Sequence, residues 1–210
     1  MTEKYLSVQG ECTTQKIIEK SRFITTSAHV CGEEEARAFI ENIRKKYPDA
    51  THNCYAYVCD SVGNFLRFSD DGEPQGTAGM PMLEVIKANK IFEICVVVTR
   101  YFGGIKLGAG GLLRAYSGCV SENLAAANKV MYETCSLLKC TVSYSFVDAI
   151  LRFIGESGAD LVESEYKDEV DITVAVKKAE EEEFINNLCN RLNGKVKTQK
   201  LREYFFPFKV

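Results

Sequence analysis

Two segments hold the residues whose types and spacing could do chemistry. The first, Ser69-Asp70-Asp71-Gly72-Glu73-Pro74-Gln75-Gly76-Thr77-Ala78-Gly79, packs three carboxylates into four positions between a strand and a helix. Such crowding is costly unless cations or hydrogen-bond donors compensate. Its chemistry is that of a cation site or of an anchor for a ligand. The alternative is a turn whose aspartates bond their own backbone, with Thr77 capping the next helix. The second segment runs from Thr99 through Arg100-Tyr101-Phe102-Gly103-Gly104-Ile105-Lys106-Leu107-Gly108-Ala109-Gly110-Gly111 to Leu112-Leu113-Arg114-Ala115-Tyr116. It leaves a buried strand, turns on glycines and enters a helix, which presents backbone N–H groups to an anion. Arg100, Lys106 and Arg114 add positive charge, and Tyr101, Phe102 and Tyr116 add stacking faces.

Established phosphate-loop patterns do not fit the second segment. After Gly103-x4-Gly108 the chain gives Ala109-Gly110 where a Walker loop needs Lys-Ser/Thr, and a GxGxxG match from Gly108 fails at Leu113. The glycines could instead serve close helix–strand packing, with Arg100 paired to Asp70 or Asp71. His29-x-Cys31 and His52-x-Cys54 each place two ligand types on one strand face, so a zinc site would require those strands to pair. His52 is better read as a site residue near the acidic turn and Cys54 as core. No metal and no cofactor is assigned.

These segments need elements to hold them. Residues 5–31 predict two or three strands. A helix opens at Glu33–Glu35, carries the stripe Ala36, Phe39, Ile40 and Ile43, and closes at Arg44–Lys46 before Pro48. Residues 53–59 and 64–69 predict a hairpin about Val62-Gly63. A helix over 81–89 follows the acidic turn. Ile94–Val98 is continuously apolar, as in a strand buried on both faces. A long helix over 110–128 should turn Leu112, Leu113, Tyr116, Val120 and Leu124 inward.

The C-terminal part reads as β-α-β-β-α-β. Strand 137–144 leads to Ser145 as a cap and to the stripe Val147, Ile150, Leu151 and Ile154, with Gly155 and Gly158 as stops. Strands 160–166 and 170–176 come next. A helix begins at Glu180–Glu183 with Phe184, Leu188 and Leu192 on one face, Gly194 follows it, and strand 196–206 ends the series. That order predicts a four-stranded antiparallel sheet with both helices on one side. The domains expected are 1–132 and 133–210.

Composition sets the wider bounds. The chain has 210 residues, Lys+Arg 26 against Asp+Glu 29, and a formal net charge of -3. That balance excludes a protein that coats nucleic acid by bulk charge. The nine cysteines form no CxxC pair, and the first residues, MTEKYLSVQG, contain no apolar run, so the expectation is reduced thiols in a cytoplasmic protein with no membrane partner. Charge is also segregated. Ile94–Ser121 has no acidic residue and Ser69–Ile86 has no Lys or Arg.

The strings Thr51-His52-Asn53-Cys54-Tyr55-Ala56-Tyr57, SDDGEPQGTAGMP (69–81) and VVVTRYFGGIKLGAGGLLRAY (96–116), with Ser21-Arg22-Phe23-Ile24, closely resemble the IMPACT/YigZ family over essentially the whole chain. The resemblance implies an α+β protein of two domains. The first would be like the second domain of a small-subunit ribosomal protein and domain IV of elongation factor G. The second would be ferredoxin-like, similar to domain V of that factor. The resemblance also implies a link to translational control: in eukaryotic members a related domain acts there by binding a ribosome-associated activator of a starvation-sensing kinase, and those members carry a different partner domain that this chain is expected to lack.

The leading reading is a non-enzymatic regulator that binds RNA or the ribosome, or a translation-associated protein. Arg100, Lys106 and Arg114 would hold phosphates, the backbone of Gly103, Gly104, Gly108, Gly110 and Gly111 would cradle an anion, and Tyr101 or Phe102 would stack, with Tyr116 nearby. His52, Asp70, Asp71, Gly72, Glu73 and Thr77 would form a supporting acidic turn. One alternative is an enzyme acting on a nucleotide or phosphorylated small molecule, with Asp70, Asp71 and Glu73 holding Mg²⁺. The other is a protein–protein adaptor.

Overall fold

The computed structural model describes residues 4–209. Residues up to Val130 form one compact unit and Met131–Phe208 a second. Together they give a mixed α and β structure with two sheets and five α-helices.

In the first unit the chain runs β1 (Lys4–Val8), β2 (Cys12–Ile18), β3 (Ser21–His29), α1 (Gly32–Lys46), β4 (His52–Val58), β5 (Leu66–Ser69), α2 (Gly79–Ala88), β6 (Ile94–Tyr101) and α3 (Gly108–Ala126). Strands β2, β3, β6, β4 and β5 lie in that order in one sheet, and every neighbouring pair is antiparallel. The apolar run of β6 is central. Ile94, Val96 and Val98 pack into the core built with α2 and α3, while Cys95 and Val97 face α1. Side chains alternate along a strand, so one strand without polar residues in its middle can serve a helix layer on each face.

Register then places the chemistry. Arg100 continues the Val96–Val98 row, so it faces α2 and α3 rather than α1. Its Cα partners across the sheet are Phe23 on β3 and His52 on β4. His29 pairs instead with Ile94, six residues along β6, which is about 20 Å of strand. The two histidines therefore cannot share one ion, which removes the Cys2His2 arrangement.

The second unit continues with β7 (Lys129–Val142), α4 (Val147–Ser157), β8 (Asp160–Tyr166), β9 (Val170–Lys177), α5 (Glu181–Arg191) and β10 (Lys197–Lys209). The strands lie in the order β10-β7-β9-β8, with β7/β9 and β8/β9 antiparallel. Leu138, Cys140 and Val142 of β7 and Ile172, Val174 and Val176 of β9 share one core with Ile150 and Ile154 of α4 and with Phe184 and Leu188 of α5. Both helices thus cover one face.

Some local expectations shift. Ser145 does not cap α4: residues 144–146 form a 3-10 turn, and the Ser145 hydroxyl meets that of Ser143 at 3.0 Å. Gly155 lies inside α4, and Gly158, left-handed at φ 73°, ends it. Leu113 points outward and is 47% exposed, while Leu112, Tyr116, Val120 and Leu124 are buried as expected.

Candidate functional site

The acidic turn and the strand before the glycine-rich loop meet. Glu73, 8% exposed, accepts from Arg100 Nη1 at 2.6 Å and from the Tyr116 hydroxyl at 2.8 Å, both on Oε1. Arg100 is 4% exposed, and its Nη2 donates to the Ser21 hydroxyl at 3.2 Å. Its guanidinium carbon lies 5.3 Å from the ring centroid of Phe23, which meets Tyr116 edge-on at 5.5 Å. The Cys54 sulfur lies 2.9 Å from the Asp70 carbonyl and 3.4 Å from the Tyr116 oxygen, so that its one S–H has both as acceptors within reach. Burial pushes the Cys54 thiol and the Tyr116 phenol well above their ordinary pKa ranges, and the neighbouring Glu73 carboxylate adds to both shifts. Neither group is an activated nucleophile. His52 borders this cluster. Its Nδ1 meets the Asp71 carbonyl at 2.8 Å and its Nε2 lies 3.9 Å from Glu73.

The two aspartates bond to backbone. Asp70 accepts from the N–H groups of Gly76 at 2.8 Å, Ala78 at 3.0 Å and Gly79 at 2.8 Å, and so caps α2 from outside the helix. Asp71 accepts from the Asn53 N–H at 2.7 Å and from Arg44 at 3.1 Å. Thr77 was the expected cap, but its hydroxyl donates to the Pro74 carbonyl at 2.6 Å. Gly72 takes the left-handed conformation, φ 89°, that lets the turn reverse. With Asp70 on amides, Asp71 on Asn53 and Arg44, and Glu73 on Arg100 and Tyr116, the three carboxylates that the alternative enzyme reading would place on Mg²⁺ are engaged elsewhere. Among the described residues no group of three or more His, Cys, Asp or Glu side chains could hold a metal ion.

This geometry corrects three roles. Arg100 does not reach solvent as a phosphate contact; it is a buried counter-charge. Its partner is Glu73 rather than Asp70 or Asp71, because Asp70 is turned onto backbone donors and Asp71 onto the Asn53 N–H and Arg44. Tyr116 offers no stacking face, since its ring is 0% exposed. Tyr101 is half-committed as well: the Arg22 guanidinium covers its ring at 4.3 Å, and its hydroxyl donates to Asp49 at 3.0 Å.

What reaches solvent is the loop and the start of α3. Gly103 packs so closely on the Lys20–Ser21 backbone that a Cβ would fall 2.1 Å from the Lys20 carbonyl, and its N–H donates to the Ser21 hydroxyl at 3.2 Å. The Phe102 N–H donates to the Thr51 hydroxyl at 3.0 Å. Phe102 itself is 46% exposed. Gly104, Lys106, Gly108, Gly110 and Arg114 are exposed and Gly111 half-buried. Lys106 and Arg114 line one groove of ≈ 470 Å³ with Ile18, Glu19, Ile105, Leu107, Gly111 and Ala115. Leu107 caps α3 without a side-chain acceptor, and the first turn has no acidic residue. The positive end of a 19-residue helix thus opens beside two cations, with the Glu19 carboxylate in the lining of the same groove.

Spacing alone missed Ser21, Thr51 and Arg44. Ser21 and Thr51 stand inside the strings that carry the family resemblance, which was the available signal. Arg44 reads only as a helix end.

A family model described as Impact N-terminal domain matches residues 19–124, and one described as Domain of unknown function (DUF1949) matches residues 140–195. The chain is 41% identical to the IMPACT family member YvyE of Bacillus subtilis (strain 168), covering 93% of this chain and 90% of that protein. It is 36% identical to the IMPACT family member YigZ of Escherichia coli (strain K12), covering 96% and 100%. Over 94 residues it is 36% identical to Protein IMPACT of Oryctolagus cuniculus, covering 42% of this chain and 29% of that one. A solved structure titled "Crystal structure of an hypothetical protein" matches with a TM-score of 0.62 and 36% identity, covering 96% and 99%.

Proposed function

From the premise that the chain belongs to the IMPACT family, we propose that it is a non-enzymatic, translation-linked regulator that binds RNA or the ribosome through the glycine-rich loop. One observation carries this reading. Lys106 and Arg114, both exposed, flank the open N-terminus of α3 in a stretch from Ile94 to Ser121 that contains no carboxylate. Backbone N–H groups, the helix dipole and two point charges then act on the same anion. Gly104 and Gly110 leave room for a backbone to approach: nothing lies within 4 Å of a Cβ built at Gly104, and only the Arg114 side chain does at Gly110. The buried Arg100–Glu73–Tyr116 cluster supports the loop from below without meeting the ligand. The order β10-β7-β9-β8 supports a ferredoxin-like second domain, and the five-stranded first sheet under α2 and α3 is in keeping with a ribosomal-protein-like first domain.

Sedimentation with ribosomes at low and moderate salt tests the proposal. The wild type should co-sediment in a salt-sensitive way, and Lys106→Ala/Arg114→Ala should lose most of that association. Salt-insensitive association, or association unchanged in the double variant, would count against it.

The adaptor reading has its own observation. Met80, Pro81, Val85, Ala88 and Leu113 line an apolar groove of ≈ 400 Å³ between α2 and α3, with Met80 41% and Leu113 47% exposed. A Leu113→Glu variant that keeps RNA binding but loses a protein partner would favour this second reading.

A further inference from the structure

Three aromatic rings enter or border the glycine-rich loop, and the structure leaves only one of them open to a ligand. Tyr116 is sealed in the core and Tyr101 lies under Arg22. Phe102 is held but not covered. Its backbone N–H is tied to Thr51, and Arg100 lies on the inner side with its guanidinium carbon 5.4 Å from the ring centroid. Arg100 is itself fixed by Glu73 and Ser21. The next residue, Gly103, is wedged on the Lys20–Ser21 backbone. The ring therefore sits on a rigid base, with 46% of Phe102 in solvent. An apolar ring kept in water by this much fixed structure is a platform.

We propose that the site takes unpaired RNA, with one base stacked on the outer face of Phe102 and neighbouring phosphates on Lys106 and Arg114. This rests on the RNA reading above and narrows it to a ligand class. Bases in a duplex have both faces occupied by their neighbours, so a duplex can offer phosphates to the cations but no face to the ring. A splayed base in a loop, bulge or single strand offers both. Every base has a π-face, so stacking on Phe102 selects for strandedness and not for sequence.

The test is fluorescence anisotropy with a labelled single-stranded RNA of about eight nucleotides, within the usual span of such sites, and with the matching duplex. The proteins are wild type, Phe102→Ala, Phe102→Trp and Lys106→Ala/Arg114→Ala, each full length and checked by thermal melting. The wild type should bind the single strand about tenfold or more tighter than the duplex. Phe102→Ala should weaken single-strand binding by about tenfold and leave duplex binding unchanged, the size of one lost stacked base. Phe102→Trp should restore it. Equal binding of the two RNAs that depends on Lys106 and Arg114 but not on Phe102 overturns this inference and leaves the RNA reading standing. Binding of neither RNA overturns both.

Discussion

Arg100, Lys106 and Arg114 carry the same charge within one acid-free stretch, yet burial gives them opposite tasks. Removing one partner of a buried ion pair strands the other in a poor solvent, at a cost of about 3–5 kcal/mol. Glu73→Gln and Arg100→Met should each lower stability by about that much in urea unfolding. Lys106→Ala and Arg114→Ala should stay within about 0.5 kcal/mol of wild type, as exposed substitutions do. Reversal of that order would mean that Arg100 is the surface cation. The same cluster contributes to an alkaline limit, alongside Cys95, Cys119, Cys140 and Tyr57, which burial also pushes up. Cys54 and Tyr116 are pushed up from ordinary values of 9.0 and 10.0. The folded state holds both protons while the unfolded chain releases them, so stability should be full below about pH 9 and fall as pH rises through 9 to 11. Unfolding midpoints across that range should show the fall, and Tyr116→Phe should flatten its upper part. A flat profile in the wild type would show that the two groups titrate normally.

Elements hold the loop and the acidic turn at contacts between backbones. An alanine at 103 would set a carbon 2.1 Å from the Lys20 carbonyl, with no flexible side chain to yield. Gly103→Ala should therefore be destabilising by more than about 1–3 kcal/mol, the usual cost of overpacking. Gly104→Ala meets open space but keeps its strained left-handed φ of 86°, so its cost should be about 1 kcal/mol. Asp70→Ala frees the N–H groups of Gly79 and its N-cap Ala78 at the start of α2 and that of Gly76 in the turn before it, and should cost about 2 kcal/mol. Urea unfolding of the three variants checks this ranking.

How these elements read from sequence follows from the range of the forces that shape them. The run Ile94–Val98 and the stripes of α1, α4 and α5 were visible because burial periodicity is local. The expected hairpin of residues 53–69 and the glycine-rich turn were visible for the same reason. The direction of the carboxylates was not. Asp70 reaches residues 76, 78 and 79, and Asp71 reaches Arg44 across 27 positions, so spacing within the turn gives no sign of where either side chain ends. Leu113 fits the inward stripe of α3 by period, but α2 packs against that helix and leaves Leu113 at the rim of a groove. Arg100 is the sharpest case. Its parity with Val96 and Val98 places it on the covered face, whereas a lone charge is ordinarily a sign of solvent.

On the whole-molecule scale, a net charge of -3 conceals the separation that matters for binding. The cationic stretch turns Lys106 and Arg114 outward, while the acidic stretch turns Glu73 inward and engages its aspartates with backbone amides and Arg44. No described helix is long and apolar enough to cross a membrane. A protein of this net charge should bind RNA by a few local contacts and not by a basic coat. Its salt dependence should then be shallow, about 0.7 log units per single-strand phosphate and so about 1.4 for two.

The most direct measurement is the salt dependence of ribosome co-sedimentation for wild type and for Lys106→Ala/Arg114→Ala. The account predicts that the wild type binds at low salt, that binding weakens at moderate salt with a slope near that of two phosphates, and that the folded double variant loses both binding and slope. Wild-type levels of association in the double variant at every salt concentration would contradict it.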